Sequence, residues 1–128
     1  MLFRSVSQSR YGVPQELVGT AIPFVYNDIE SLKKLMKIHK NKIAAVVMEP
    51  KLNINPINDF LADVRELCTA EGIILIFDEI TSAFRESAGP IHELFSVYPD
   101  IAVFSKAISN GYPMGSIVTG KQIGRAHV

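Results

Sequence analysis

The sequence predicts an α/β fold, a mostly parallel sheet with flanking helices. Three observations predict it. The stretches 43–48, 73–77 and 101–104 are apolar throughout rather than alternating, the pattern of strands covered on both faces. Helix-periodic stretches separate them, which is the β-α-β-α order of a parallel sheet. No internal repeat or low-complexity tract competes with that order.

The elements follow in chain order. Up to about residue 24 the chain is rich in Ser, Arg, Gly and Pro without a sustained period, and reads as loop with a short strand. Asn27 with Glu30 three positions on has the layout of a capping box. Ile29, Leu32, Leu35 and Met36 then share one helical face. That helix ends among Lys40, Asn41 and Lys42, where cations suit the dipole. His39, at the same end, is expected in solvent, as is the Lys33, Lys34 and Lys37 face.

A second helix is expected over 57–71, with Ile57, Phe60, Leu61, Val64, Leu67 and Cys68 as its apolar stripe and Gly72 closing it. The strand at 73–77 runs into Asp78-Glu79. A short helix is expected over 92–97 and stops at Pro99-Asp100, and the strand at 101–104 runs into Ser105-Lys106. Residues 115–119 have the composition of a fourth strand.

At 128 residues the chain is long enough for one domain with a core. Thirteen Lys and Arg balance thirteen Asp and Glu, with no basic stripe, so nucleic acid and anionic membrane are not expected partners. No apolar run approaches the roughly 20 residues a bilayer requires, and residues 1–5 lack signal-peptide features. A single cysteine excludes an intrachain disulfide and a Cys-rich zinc site. A reducing, cytoplasmic setting is the expectation.

In open α/β sheets ligands bind beyond the carboxyl ends of the strands. Here the three core strands end on Glu49, Asp78 and Lys106. Spacing alone leaves two explanations open: strand ends that reach water, and a site, since burying such groups unpaired is costly. A metal site lacks a His at ligand spacing and a second acid pair. A glycosidase carboxylate pair leaves the lysine unexplained. A lysine and an aspartate on adjacent strand ends do suit pyridoxal 5′-phosphate, which is held as an imine by a lysine and paired at its ring nitrogen to an acid. Such a lysine must shed its proton to attack a carbonyl, and the acid must keep its charge so that the ring can accept electrons.

The stretch Ile73-Ile-Leu-Ile-Phe-Asp78-Glu79-Ile80-Thr81-Ser82-Ala83-Phe84-Arg85 resembles the cofactor-aspartate segment of class III aminotransferases. Phe104-Ser105-Lys106-Ala107-Ile108-Ser109-Asn110-Gly111-Tyr112-Pro113 resembles that family's lysine segment, and the separation of Asp78 from Lys106 is similar too. Ile43-Ala-Ala-Val-Val-Met48-Glu49-Pro50 is similar to the preceding strand. Within the family the resemblance is to the glutamate-1-semialdehyde 2,1-aminomutase branch.

The resemblance implies the central part of a fold type I large domain and assigns the site residues. Lys106 forms the imine and shuttles a proton, Asp78 pairs with the ring nitrogen, and Ile80 packs on one ring face. Glu49 touches substrate or orders the site, while Gly111 and Pro113 form the turn after the lysine. It implies amino transfer between an amine or amino acid and a keto or aldehyde compound, in a homodimer. The alternatives are an intramolecular 2,1-amino shift, a truncated fragment without activity, and a non-catalytic α/β binding module.

Departures bear on these expectations. Ala83 stands where the family has glycine, and the loop 51–56 is short, which argues against a strict mutase and leaves Asn53 or Asn55 to take over a cofactor contact. Nothing before Asn27 resembles the family's phosphate-binding turn. Residues 1–123 are therefore expected to be a large domain incomplete at both ends, and 124–128, which resemble translated sequencing adapter rather than the family, a non-native tail. Cys68 is expected in the core, His92 in a surface or packing role, and Arg85 in a structural ion pair.

Overall fold

The computed structural model describes residues 14–120 and the backbone of a two-residue strand, β1 (Leu2–Phe3). The tail expected at 124–128 lies outside the described residues. After β1 come β2 (Ala21–Ile22), α1 (Ile29–Ile38), β3 (Ala45–Met48), α2 (Phe60–Glu71), β4 (Ile74–Asp78), β5 (Ile101–Phe104) and β6 (Ser116–Thr119). They form one sheet of order β2-β1-β3-β4-β5-β6, parallel except at the β5–β6 edge. The α/β class and the mostly parallel sheet are as the apolar runs predict.

Asp28, not Asn27, caps α1: its Oδ1 accepts from the Ser31 N–H at 3.0 Å. Asn27 instead takes a left-handed backbone, φ 62, which asparagine tolerates better than most residues. Its side chain donates to the Asn55 carbonyl at 3.0 Å and accepts from the Ile57 N–H at 3.1 Å. The residue expected to start a helix therefore ties down the loop after β3.

Helix α2 begins at Phe60 rather than 57. Asn58 and Asp59 both adopt positive φ, 49 and 57, so the chain turns there and Ile57 is left exposed. Gly72, φ 65, ends the helix, and the Ile73 N–H reaches back to the Cys68 carbonyl at 2.8 Å, a Schellman closure.

Strand pairing puts Val46 beside Leu75 and Met48 beside Phe77. These four meet Leu32 and Met36 of α1 and Phe60, Leu61, Val64 and Cys68 of α2 in one core cluster. The intervening residues Val47, Ile74, Ile76, Ile101 and Val103 are only half-buried. Among the described residues the expectation that both sheet faces are covered therefore holds for one face, because both helices contribute to the same side.

Asp100 fastens β5 to β4. Its N–H donates to the Leu75 carbonyl at 2.9 Å, while its Oδ2 accepts from the Leu75 N–H at 2.7 Å and from Arg65 Nη1 at 2.8 Å. The 92–97 helix is a 3-10 turn over Ile91–Phe95. Among the described residues no helix is long and apolar enough to cross a membrane.

Candidate active site at the strand ends

Register brings the three expected residues to one edge. Met48 pairs with Phe77 and Asp78 with Val103, so Glu49 follows directly beside Asp78, and Lys106 emerges three residues beyond the aspartate's partner. Asp78 is half-buried, with Oδ1 accepting from the Ile80 N–H at 3.1 Å. Ile80 is half-buried as well, and Glu49 is partly buried and lines a cleft.

Glu79 turns the other way. It is fully buried, its N–H donates to the Val103 carbonyl at 2.9 Å, and its Oε2 accepts from the Ile91 N–H at 2.5 Å. Its other oxygen pairs with His92 Nδ1, and the His92 ring lies against Phe77 and Tyr98. This contact closes the loop 80–90 at its base. His92 thus has the packing role, buried and paired, rather than a surface one.

The loop so closed carries Thr81, Ser82 and Arg85. Arg85 Nε donates to the Thr81 carbonyl at 2.6 Å. That replaces the expected ion pair, which Arg85 does not form among the described residues. Lys106 Nζ donates to Thr81 Oγ1 at 2.8 Å.

Lys106 opens a 3-10 turn, Lys106–Ser109, with φ 52. A left-handed conformation costs a non-glycine residue roughly 1–2 kcal/mol. The turn is fixed on both sides: Ser109 Oγ donates to the Lys106 carbonyl at 2.6 Å and Ser105 Oγ to the Met114 carbonyl at 2.7 Å.

Two clefts flank this edge. One, of about 610 Å³, is lined by Glu49, Lys51, Leu52, Asn53, Ile54, Thr81, Ser82, Arg85 and Glu86. The other, of about 550 Å³, runs over Ser105, Lys106, Asn110 and Tyr112, with Arg85 again in its wall. Lys51 and Glu86 pair between the loops that bound the first cleft. Asn53 lines that cleft, whereas Asn55 gives its carbonyl to Asn27. Nearby, burial pushes the Tyr26 hydroxyl up to about 12, and the Glu49 charge adds to the shift. Tyr26 Oη donates to the Pro50 carbonyl at 2.8 Å.

Among the described residues, Ser82 Oγ is buried without a hydrogen-bond partner on the wall of the first cleft, and such orphaned groups call for a ligand or water. With a carboxylate and a primary amine on neighbouring strand ends, the donor set fits the ring nitrogen and the aldehyde carbon of pyridoxal phosphate. Among the described residues no three of His, Cys, Asp and Glu come together to hold a metal ion.

Sequence reasoning missed Thr81, Glu79 and His92 as parts of this arrangement. Thr81 lies inside the aspartate segment, and the second acid directly after Asp78 is the available signal for Glu79. Nothing in the sequence ties Glu79 to a histidine 13 positions on.

The model of the family "Aminotransferase class-III" matches residues 11–128. The chain is 37% identical over 116 residues to the glutamate-1-semialdehyde 2,1-aminomutase of Citrifermentans bemidjiense, spanning 88% of this chain and 27% of that protein. It is 40% identical over 116 residues to the enzyme of the same name from Flavobacterium johnsoniae, again 88% and 27%. It therefore spans about a quarter of the length of the curated relatives it matches. Among solved structures, an omega-transaminase from Sphaerobacter thermophilus superposes with a TM-score of 0.81 at 29% identity, over 92% of this chain and 28% of that one. The N-acetylornithine aminotransferase of Stenotrophomonas maltophilia does so with a TM-score of 0.77 at 25% identity, over 95% and 32%.

Proposed function

The chain belongs to the class-III aminotransferase family, and from that premise we propose that the protein transfers an amino group between an amine or amino acid and a keto or aldehyde compound, with pyridoxal 5′-phosphate as cofactor. When bound, the cofactor supplies a carbon that links amines and a cationic ring that takes up the electrons released at the substrate Cα. Lys106 Nζ is the group that holds it and that takes and returns the proton at the substrate Cα. Asp78 supplies the carboxylate for the ring nitrogen, and its second contact, to the Ile80 N–H, keeps that carboxylate oriented. Ile80 covers one ring face, and Glu49 orders the first cleft for the small-molecule amine.

The observation that carries the reading is the register of Asp78 with Val103, which sets the acid and Lys106 on adjacent strand ends. The assembly is proposed to be a cytoplasmic homodimer. The test uses the full-length protein: pyridoxal phosphate is added, the product reduced with borohydride, and modified lysines located by mass spectrometry. A single modification at Lys106 is expected. Modification scattered over surface lysines, or none, overturns the reading.

A second reading, an intramolecular 2,1-amino shift, is favoured by the names of the curated relatives. Isotopically labelled substrate nitrogen separates the two. It stays in the product molecule in the shift and passes to the acceptor in transfer.

A further inference from the structure

Lys106 Nζ and Thr81 Oγ1 meet at 2.8 Å although the residues lie 25 positions apart. Both are held by their backbones. The Thr81 carbonyl accepts from Arg85 Nε at 2.6 Å, and its loop is closed by Glu79 onto Ile91 and His92. The Lys106 carbonyl accepts from Ser109 Oγ at 2.6 Å, and its left-handed backbone is set by the turn that follows. The contact is exposed, and it joins two residues whose backbone carbonyls are each bonded within their own loop.

The chemistry of the partner matters. A hydroxyl both donates and accepts: it takes a hydrogen bond from the lysine ammonium and gives one to the neutral amine. A carboxylate in its place would favour only the ammonium, the form that cannot attack. An alkyl group would hold neither form. Threonine is also restricted at χ1, so its hydroxyl has few directions to choose from once its backbone is set.

We infer that Thr81 is the positioning residue for Lys106, holding the amine at the cofactor edge in both of its charge states. The inference rests on the reading of Lys106 as the cofactor lysine. It reaches past that reading by naming the group that aims it.

The test follows cofactor attachment rather than turnover. Full-length protein freed of cofactor is mixed with pyridoxal phosphate, quenched with borohydride at intervals, and digested. Label at Lys106 is then counted against label at the exposed Lys33 and Lys34. In Thr81→Val the Lys106 rate is expected to fall roughly five- to tenfold, the worth of about one net hydrogen bond. Thr81→Ser, which keeps the hydroxyl, is expected within about twofold of the parent. Rates at Lys33 and Lys34 should be equal in all three, and Thr81→Ala replaces the valine variant if circular dichroism shows that variant misfolded. A variant without the hydroxyl whose Lys106 rate matches the parent's overturns the inference and leaves the cofactor reading standing. A parent unlabelled at Lys106 overturns both.

Discussion

Asp78 and Glu79 are consecutive, yet their carboxylates serve opposite sides of the strand end. Asp78 stays half-open with one oxygen on the Ile80 N–H, while Glu79 is sealed inside against His92 and the Ile91 N–H. One acid is open at the sheet edge, and the other fixes the loop that walls the first cleft. The two should respond differently to substitution.

Glu79→Ala leaves His92 and the Ile91 N–H buried without their acceptor. Breaking a buried pair from one side costs about 3–5 kcal/mol, so urea unfolding of the full-length protein should show a loss of that order. Glu79→Gln keeps an acceptor for one of the two donors and should lose less. A double-mutant cycle with His92→Ala should return a coupling of at least about 0.5 kcal/mol, the range for residues in contact.

Asp78→Asn preserves the acceptor for the Ile80 N–H but removes the charge. The fold should be unaffected and borohydride should still trap cofactor on Lys106. Amino transfer should fall by about 10²–10³, the order reached when one electrostatic partner of a reacting group is removed. Single-turnover rates with a saturating amine would measure it, and a rate equal to the parent's would dissociate Asp78 from the ring nitrogen.

Asp100→Ala strands both the Leu75 N–H and the Arg65 guanidinium, which share its Oδ2. A loss of about 2–3 kcal/mol is expected in denaturant unfolding, because an unsatisfied partly buried donor costs its desolvation. Asp100→Asn, which still accepts from Leu75, should lose only about 1 kcal/mol.

Cys68 is fully buried, and burial pushes its thiol up to about 12 from the ordinary 9. Between those values the unfolded chain releases the proton while the folded chain keeps it. The contribution is therefore complete below pH 9 and is lost as pH rises toward 12. Tyr26, pushed from 10 to about 12, adds to the same alkaline decline. Cys68→Ala should flatten the fall of stability over this window. In the native parent at pH 8 a thiol reagent should react at least about 100-fold more slowly than in denaturant.

Much of the fold was legible because unbroken apolar runs have few other uses. Residues 73–77 and 101–104 are too short for helices and read as strands, but that Glu49, Asp78 and Lys106 share one edge depends on the parallel register, which only the structure gives. Some local signals in the sequence are ambiguous. Asn27 suits both a cap and a left-handed turn, and contact with Ile57 and Asn55 decided for the turn. Ile57 fits a 3.6-residue stripe, but Asn58 and Asp59 turn the chain before the helix begins. The apolar runs look alike on both sides, so they could not tell which face the helices cover. The Glu79–His92 pair and the Thr81–Lys106 contact form only when distant segments meet.

The left-handed backbone of Lys106 has a consequence for anyone evolving this protein. At φ 52 the position favours glycine by roughly 1 kcal/mol, so a library sorted for heat resistance alone should enrich Lys106→Gly. Such clones would be sturdier and devoid of the amine. Stability and chemistry rank the residues at this one site in opposite order, and a thermostability screen here needs a covalent-labelling step beside it to avoid selecting its own failures.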